Sequence, residues 1–147
     1  EHDATALVIV AVERAGLSDP AVRAPGYRVV NLMQWRGDAH TALHRRLTAL
    51  VKTWNPRRVV VDATGLGAGL AAFLESSLPG RVMRFEFNTL TKSRLGWGFL
   101  EVVESGRFHL PRSAPAGAEG LLDLFRAHAD GGGIIQARDP LEGEGGF

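Results

Sequence analysis

The sequence predicts an α/β fold, and three observations carry that prediction. Short apolar runs rich in β-branched and aromatic residues recur along the chain at Ala4–Val12, Tyr27–Trp35, Val59–Val61 and Val82–Phe87. Stretches with helical spacing separate the later runs. Finally, Val59-Val60-Val61-Asp62 leads straight into the glycine-rich Gly65-Leu66-Gly67-Ala68-Gly69, after which Leu70 to Leu74 opens a helical pattern. A strand, a tight turn and a helix in that order are the first half of a βαβ unit.

Ala4–Val12 is so uniformly apolar that it reads as a central strand. Two prolines and two glycines between Arg14 and Gly26 mark a loop. Tyr27–Trp35 is a second strand, placed to pair antiparallel with the first across that long connection. Gly37-Asp38 stops it, and Asp38 is a suitable N-cap. From Ala39 to Trp54 the apolar residues Leu43, Leu47, Leu50, Val51 and Trp54 hold the spacing of one helix face, and Asn55-Pro56 ends the helix. The β-branched run Val59–Val61 reads as a strand buried on both faces, as in a mainly parallel sheet. A helix over about 68–78 ends at Pro79-Gly80, a strand follows over 82–87, and 92–104 is helical despite Gly96 and Gly98. A short strand over 107–110, a Pro/Ala/Gly loop, a helix over about 118–129 and a glycine-rich tail complete the chain.

At 147 residues with 45% apolar and 22% charged residues, the chain is long enough for a sizeable core and is not disordered in composition. Its net charge of +1 does not announce a nucleic-acid binder, so such contacts must come from local clusters. The absence of cysteine excludes disulfides and thiolate metal sites. No apolar run has the length of a membrane span, and no signal peptide is visible. Glu1 is not a natural start, so the chain is read as a single domain, a fragment lacking residues at both ends.

Asp62 is the residue of greatest interest. A carboxylate at the carboxyl end of a buried strand, before a glycine-rich turn, stands where open α/β sheets place ligands. Three readings are open: a cap for the next helix, a metal-binding acid, or part of a nucleotide loop. The phosphate-loop pattern needs Gly-Lys followed by Ser or Thr, and the dinucleotide pattern a differently placed third glycine, so a tight turn with close helix packing explains Gly65–Gly69 more simply. Asp3 precedes the first strand and could approach Asp62 if a strand ran just upstream. His40 and His44 share a helix face but lack the Glu of a zinc-protease pattern. Lys92 and Arg94 open a helix where cations oppose the macrodipole, which favours a phosphate contact. Trp35, Trp54 and Trp97 are assigned to packing. No nucleophile elbow or kinase motif is present.

Asp3-Ala4-Thr5-Ala6 before the first strand, Val59-Val60-Val61-Asp62-Ala63-Thr64-Gly65, Phe87-Asn88-Thr89-Leu90-Thr91-Lys92-Ser93 and Glu104-Ser105-Gly106-Arg107-Phe108-His109-Leu110-Pro111 together resemble one family. It is the C-terminal nuclease domain of the large terminase subunit of tailed bacteriophages, and the resemblance covers nearly the whole chain. It implies an RNase H-like mixed sheet flanked by helices, and a metal-dependent endonuclease that cuts concatemeric double-stranded DNA with two Mg²⁺ or Mn²⁺ ions. Asp62 matches the family's second catalytic acid, with Asp3 an ancillary acid and metal ligand. The resemblance places the first acid upstream of Glu1 and the third beyond the approach at Gly143–Phe147. Lys92 and Arg94 are the expected DNA contacts. The implied partners are the terminase small subunit, the portal and the protein's own ATPase domain, in the host cytoplasm and away from membranes. A junction resolvase of the same fold, or a non-catalytic nucleic-acid or nucleotide-binding α/β module, is the alternative. On this reading an upstream strand lies between Ala4–Val12 and Arg58–Val61, and the chain alone cuts poorly because one carboxylate cannot replace three.

Overall fold

The computed structural model of the chain describes residues 4–14 and 24–113, together with Gly120 and Asp123. The elements run β1 (Ala4–Glu13), β2 (Gly26–Arg36), α1 (His40–Trp54), β3 (Val59–Asp62), α2 (Gly67–Ser77), β4 (Val82–Phe85), α3 (Thr89–Glu104) and β5 (Phe108–His109). This is the α/β alternation expected from the sequence. Asp3, residues 15–23 of the first loop and the glycine-rich tail lie outside the described residues; of the helix expected over 118–129 only Gly120 and Asp123 are described, both helical. The chain divides into two compact units, Glu1–Arg36 with Arg94–Phe147, and Gly37–Ser93.

In the first unit the strand order is β1-β2-β5. β1 and β2 pair antiparallel from Ala4 opposite Arg36 to Glu13 opposite Gly26, as their apolar patterns predicted. The register slips once: Ile9 faces Asn31 but Val10 faces Val29, so Val30 is an extra residue on β2, a β-bulge. The bulge explains a spacing that simple alternation forbids. Val29 and Leu32 are both buried, at 2% and 0% exposure, although they are three residues apart. β1 is not a central strand among the described residues: it ends its sheet, and Val8 and Val10 stay 37% and 40% exposed opposite the buried Leu32 and Val29. A run can be apolar throughout and still be half covered when the cover centres on its neighbour.

β5 joins β2 in parallel, with Tyr27 opposite Phe108. A Schellman-type end to α3 delivers it. Gly106, at φ 69°, donates to the Val103 carbonyl, and Arg107 N–H donates to the Val102 carbonyl at 3.0 Å. Phe99 and Phe108 then meet edge to face, ring centres 5.0 Å apart, against the buried Val103. Arg107 ties this corner together. Its carbonyl accepts from Tyr27 N–H, its Nη1 donates to the Pro25 carbonyl at 2.8 Å and its Nε to Ser105 Oγ at 2.7 Å. Because its side chain is only 17% exposed, Arg107→Ala is expected to cost about 1–3 kcal/mol, the range for a charge-assisted bond and its orphaned acceptor. A urea titration reads this as a lower midpoint at unchanged slope.

The second unit is a βαβ arrangement with α1 added. β3 and β4 pair in parallel, Val59 opposite Val82 through Asp62 opposite Phe85, with α2 as the crossover. α2 covers the Val59, Val61, Val82 face: Arg84 on that face donates to the Ala68 carbonyl and pairs with Glu75, both on α2. The opposite face holds Val60, 60% exposed, and Met83, 40% exposed. Within this unit β3 is therefore covered on one face, not on both as the β-branched run suggested. β1 and β3 share no ladder and lie in different sheets. α1 buries Leu43, Leu47 and Val51, the i, i+4, i+8 stripe expected of it; each fully buried aliphatic side chain is worth about 1.5–3 kcal/mol. It turns out at Asn55, left-handed at φ 45°. Asp38 does not cap it. The N-cap is Ala39 with no side-chain bond, and the Asp38 carboxylate pairs instead with Arg46. His44 meets Ser77 of α2 at 2.8 Å and the Phe73 ring, so it ties two helices.

Candidate active site

The carboxyl ends of β3 and β4 are adjacent because the two strands are parallel and in register. The ladder continues one step past the strands, where the N–H of buried Ala63 donates to the Phe85 carbonyl at 2.8 Å. The loops leaving the two strands therefore start from one rigid edge, the position where α/β sheets carry ligands.

Asp62 ends β3 with its carboxylate exposed. Its Oδ1 accepts the Thr64 N–H at 2.9 Å, an Asx-type turn. Asp62 thus closes the turn two residues on; the N-cap of α2 is Leu66, without a side-chain bond. Oδ2 has no partner among the described residues. One oxygen fixes the carboxylate and the other faces solvent.

The glycines that follow serve the turn. Gly65 takes the left-handed region at φ 57°. A Cβ on Gly67 would overlap the Asp62 carbonyl oxygen and stand 3.1 Å from its carbon, so only glycine lets α2 start this close to β3. Gly69 has open space around it. Gly67 N–H donates to the Thr64 carbonyl and Ala68 N–H to that of Gly65, both at 3.2 Å. Amides spent within the turn are not offered to a phosphate, so the geometry is that of a tight βα turn.

Thr64 links the two loops. Its Oγ1 accepts the Phe87 N–H at 2.9 Å, so the turn that holds Asp62 is joined to the segment leading into α3. That segment is itself capped reciprocally. Asn88 Oδ1 accepts the Thr91 N–H at 2.9 Å, Thr91 Oγ1 accepts the Asn88 N–H at 2.8 Å, and the Thr91 hydroxyl donates to the Glu86 carbonyl at 2.8 Å. This is the logic of a capping box with Asn-x-x-Thr in place of Ser-x-x-Glu. Sequence reasoning assigned no role to Thr64, Asn88 or Thr91. The Asn88-x-x-Thr91 spacing was a usable signal for the cap; nothing local signals the Thr64 contact, which spans 23 positions.

Lys92 follows this cap in the first turns of α3, its N–H donating to the Asn88 carbonyl at 2.9 Å and its side chain exposed. Arg94, two residues on, is also exposed and falls in the other unit. Residues two apart on a helix do not face one another, so Lys92 and Arg94 present to different sides. Asp3 lies outside the described residues. Among the described residues no three His, Asp or Glu side chains converge as a metal site, and no helix is long and apolar enough to cross a membrane.

Comparison with known proteins gives one family. The model of the terminase RNaseH-like domain matches residues 1–140. No curated protein and no solved structure gives a significant match. The match takes in every described element together with the Asp62 edge, and the chain belongs to the terminase RNase H-like domain family.

Proposed function

We propose that the chain is the nuclease domain of a phage DNA-packaging terminase, a metal-dependent endodeoxyribonuclease that hydrolyses phosphodiester bonds of concatemeric double-stranded viral DNA. The observation that supports this best is Asp62: an exposed carboxylate at the carboxyl end of β3, one oxygen held and one open, in a chain of this family. The donor suits a hard divalent cation such as Mg²⁺ or Mn²⁺. Among the described residues no three such donors converge, and Asp3 and acids of adjoining segments are proposed to complete the set.

When bound, two ions of this kind would supply an activated water and neutralise the leaving oxygen. The residues of this chain do the placing. The Thr64 N–H orients the Asp62 carboxylate so that Oδ2 faces outward, and the Thr64 hydroxyl keeps that turn fixed to the α3 entrance. Lys92 and Arg94 are assigned to the DNA backbone, where contacts position the duplex and carry little sequence information. The expected partners are duplex DNA, the small subunit, the portal and the ATPase domain of the same protein, and the expected place is the packaging motor in the host cytoplasm.

Plasmid cleavage by the intact protein tests the reading. Nicked and linear products are expected with Mn²⁺ or Mg²⁺ and none with excess EDTA. Cutting that persists in chelator would remove the metal-dependent mechanism. Salt-insensitive binding with tight ATP affinity at this domain would instead favour a nucleotide-binding module.

A further inference from the structure

The unit Gly37–Ser93 leaves the amino ends of its strands without an acid. Its acids are Asp38, Asp62, Glu75 and Glu86. Asp38 is paired with Arg46 and Glu75 with Arg84, while Asp62 and Glu86 stand at or just beyond the carboxyl ends of β3 and β4. The amino ends carry only cations. Lys52 lies in the last turn of α1, Arg57 and Arg58 lead into β3, and Arg81 leads into β4, all of them exposed. No carboxylate partners any of the four among the described residues.

Two of these cations are held side by side. Val59 faces Val82, and the Val59 N–H bonds to the Arg81 carbonyl at 2.8 Å, so Arg58 and Arg81 occupy one level on neighbouring parallel chains. Such chains are about 4.8 Å apart. The Arg81 guanidinium is fixed further by neutral acceptors, Asn55 Oδ1 at 2.7 Å and the Pro56 carbonyl at 3.5 Å, which brings it to the turn that carries Arg57. The carboxyl end of α1 points here, and its macrodipole attracts cations. That dipole amounts to about half a negative charge, too little to balance four positive ones.

We infer that this edge, Lys52, Arg57, Arg58 and Arg81, is a second phosphate-binding surface for duplex DNA, about 13 Å along the strand direction from Asp62. Guanidinium groups dominate it, and their planar fork suits phosphate oxygens. The inference rests on the nucleic-acid reading above. It adds a contact that Lys92 does not supply, since within this unit Lys92 follows the opposite, carboxyl end of β4.

The test uses Arg57→Ala/Arg58→Ala in the intact protein, because neither side chain makes a bond among the described residues and the fold should be unaffected; a thermal melt checks this. Binding of a labelled duplex is measured across a salt series. Each phosphate contact contributes about −0.9 to the slope of log K against log salt, so the double variant is expected to lose about 1.8 of slope equally for unrelated sequences. Single-turnover cleavage at saturating DNA should be unchanged. Wild-type affinity and slope in the variant would overturn the inference and leave the nuclease reading standing. Unchanged DNA binding with lost assembly onto a protein subunit would overturn it in favour of an acidic protein partner. Failure of the wild-type protein to bind duplex at all would reject the nucleic-acid reading itself.

Discussion

An Asp62→Asn protein is expected to melt like wild type and to cut plasmid DNA at least roughly 10³-fold more slowly, about 4 kcal/mol of barrier. The substitution separates the two duties of the side chain. The Asn amide oxygen still accepts the Thr64 N–H, so the Asx-type turn survives. The negative charge and the second equivalent oxygen are lost, and those are what a divalent cation needs. Asp62→Ala removes both duties and should also lower the melting temperature. Cleavage and thermal unfolding measured on both variants therefore distinguish a catalytic acid from a turn former. Near-normal metal-dependent cutting by Asp62→Asn would leave Asp62 with only the turn.

Gly67→Ala should cause the largest loss of stability of any single methyl added to this turn. The new Cβ would fall on the Asp62 carbonyl oxygen, a backbone atom that cannot rotate away. Relief requires α2 to retreat from β3 or the strand end to tilt, and either opens the packing around Ala71 and Leu74, which are 0% and 1% exposed. Overpacking of this kind costs about 3 kcal/mol, or on the order of 10 °C in melting temperature. Gly69→Ala provides the contrast. It adds the same atom two positions later, in open space on a helix, and should stabilise by up to about 1 kcal/mol. Parallel thermal melts of the two variants decide the matter: equal midpoints would show that the approach of α2 to Asp62 is not tight. Because the displaced group is the backbone of Asp62 itself, Gly67→Ala should also reduce cleavage in the protein that remains folded.

Local regularity explains what was legible. The α1 stripe is complete within its own segment, and Leu43, Leu47 and Val51 are buried where the spacing put them. The passage from β3 through the glycine turn into α2 was equally plain, because one strand, one turn and one helix contain all its causes. Side-chain partnerships with residues elsewhere in the chain were not legible. Asp38 has the chemistry of a cap, but Arg46, further along α1, competes for its carboxylate and takes it. Val59–Val61 is apolar enough to be covered twice, and apolarity does not say how many covers a strand receives. The position of Asp62 could be read directly; the means by which it is held could not, since Thr64 and Phe87 are brought together only by the pairing of β3 with β4.

The extra residue at Val30 gives the β1–β2 hairpin a sensitivity to length that differs from its sensitivity to side-chain identity. Val29 and Leu32 stand three residues apart and still share the interior face because the bulge takes up the odd residue between them. Exchanging one hydrophobe for another there leaves the count intact. Losing the extra residue would leave Val29 and Leu32 two apart opposite Val10 and Val8, in plain alternation and still on one face, whereas gaining or losing a residue elsewhere in either strand turns the half beyond it over. A change of length away from the bulge therefore acts on every paired position beyond it, whereas a substitution acts on one. Sequence change in the hairpin is open to new letters throughout and to a new length only at the bulge.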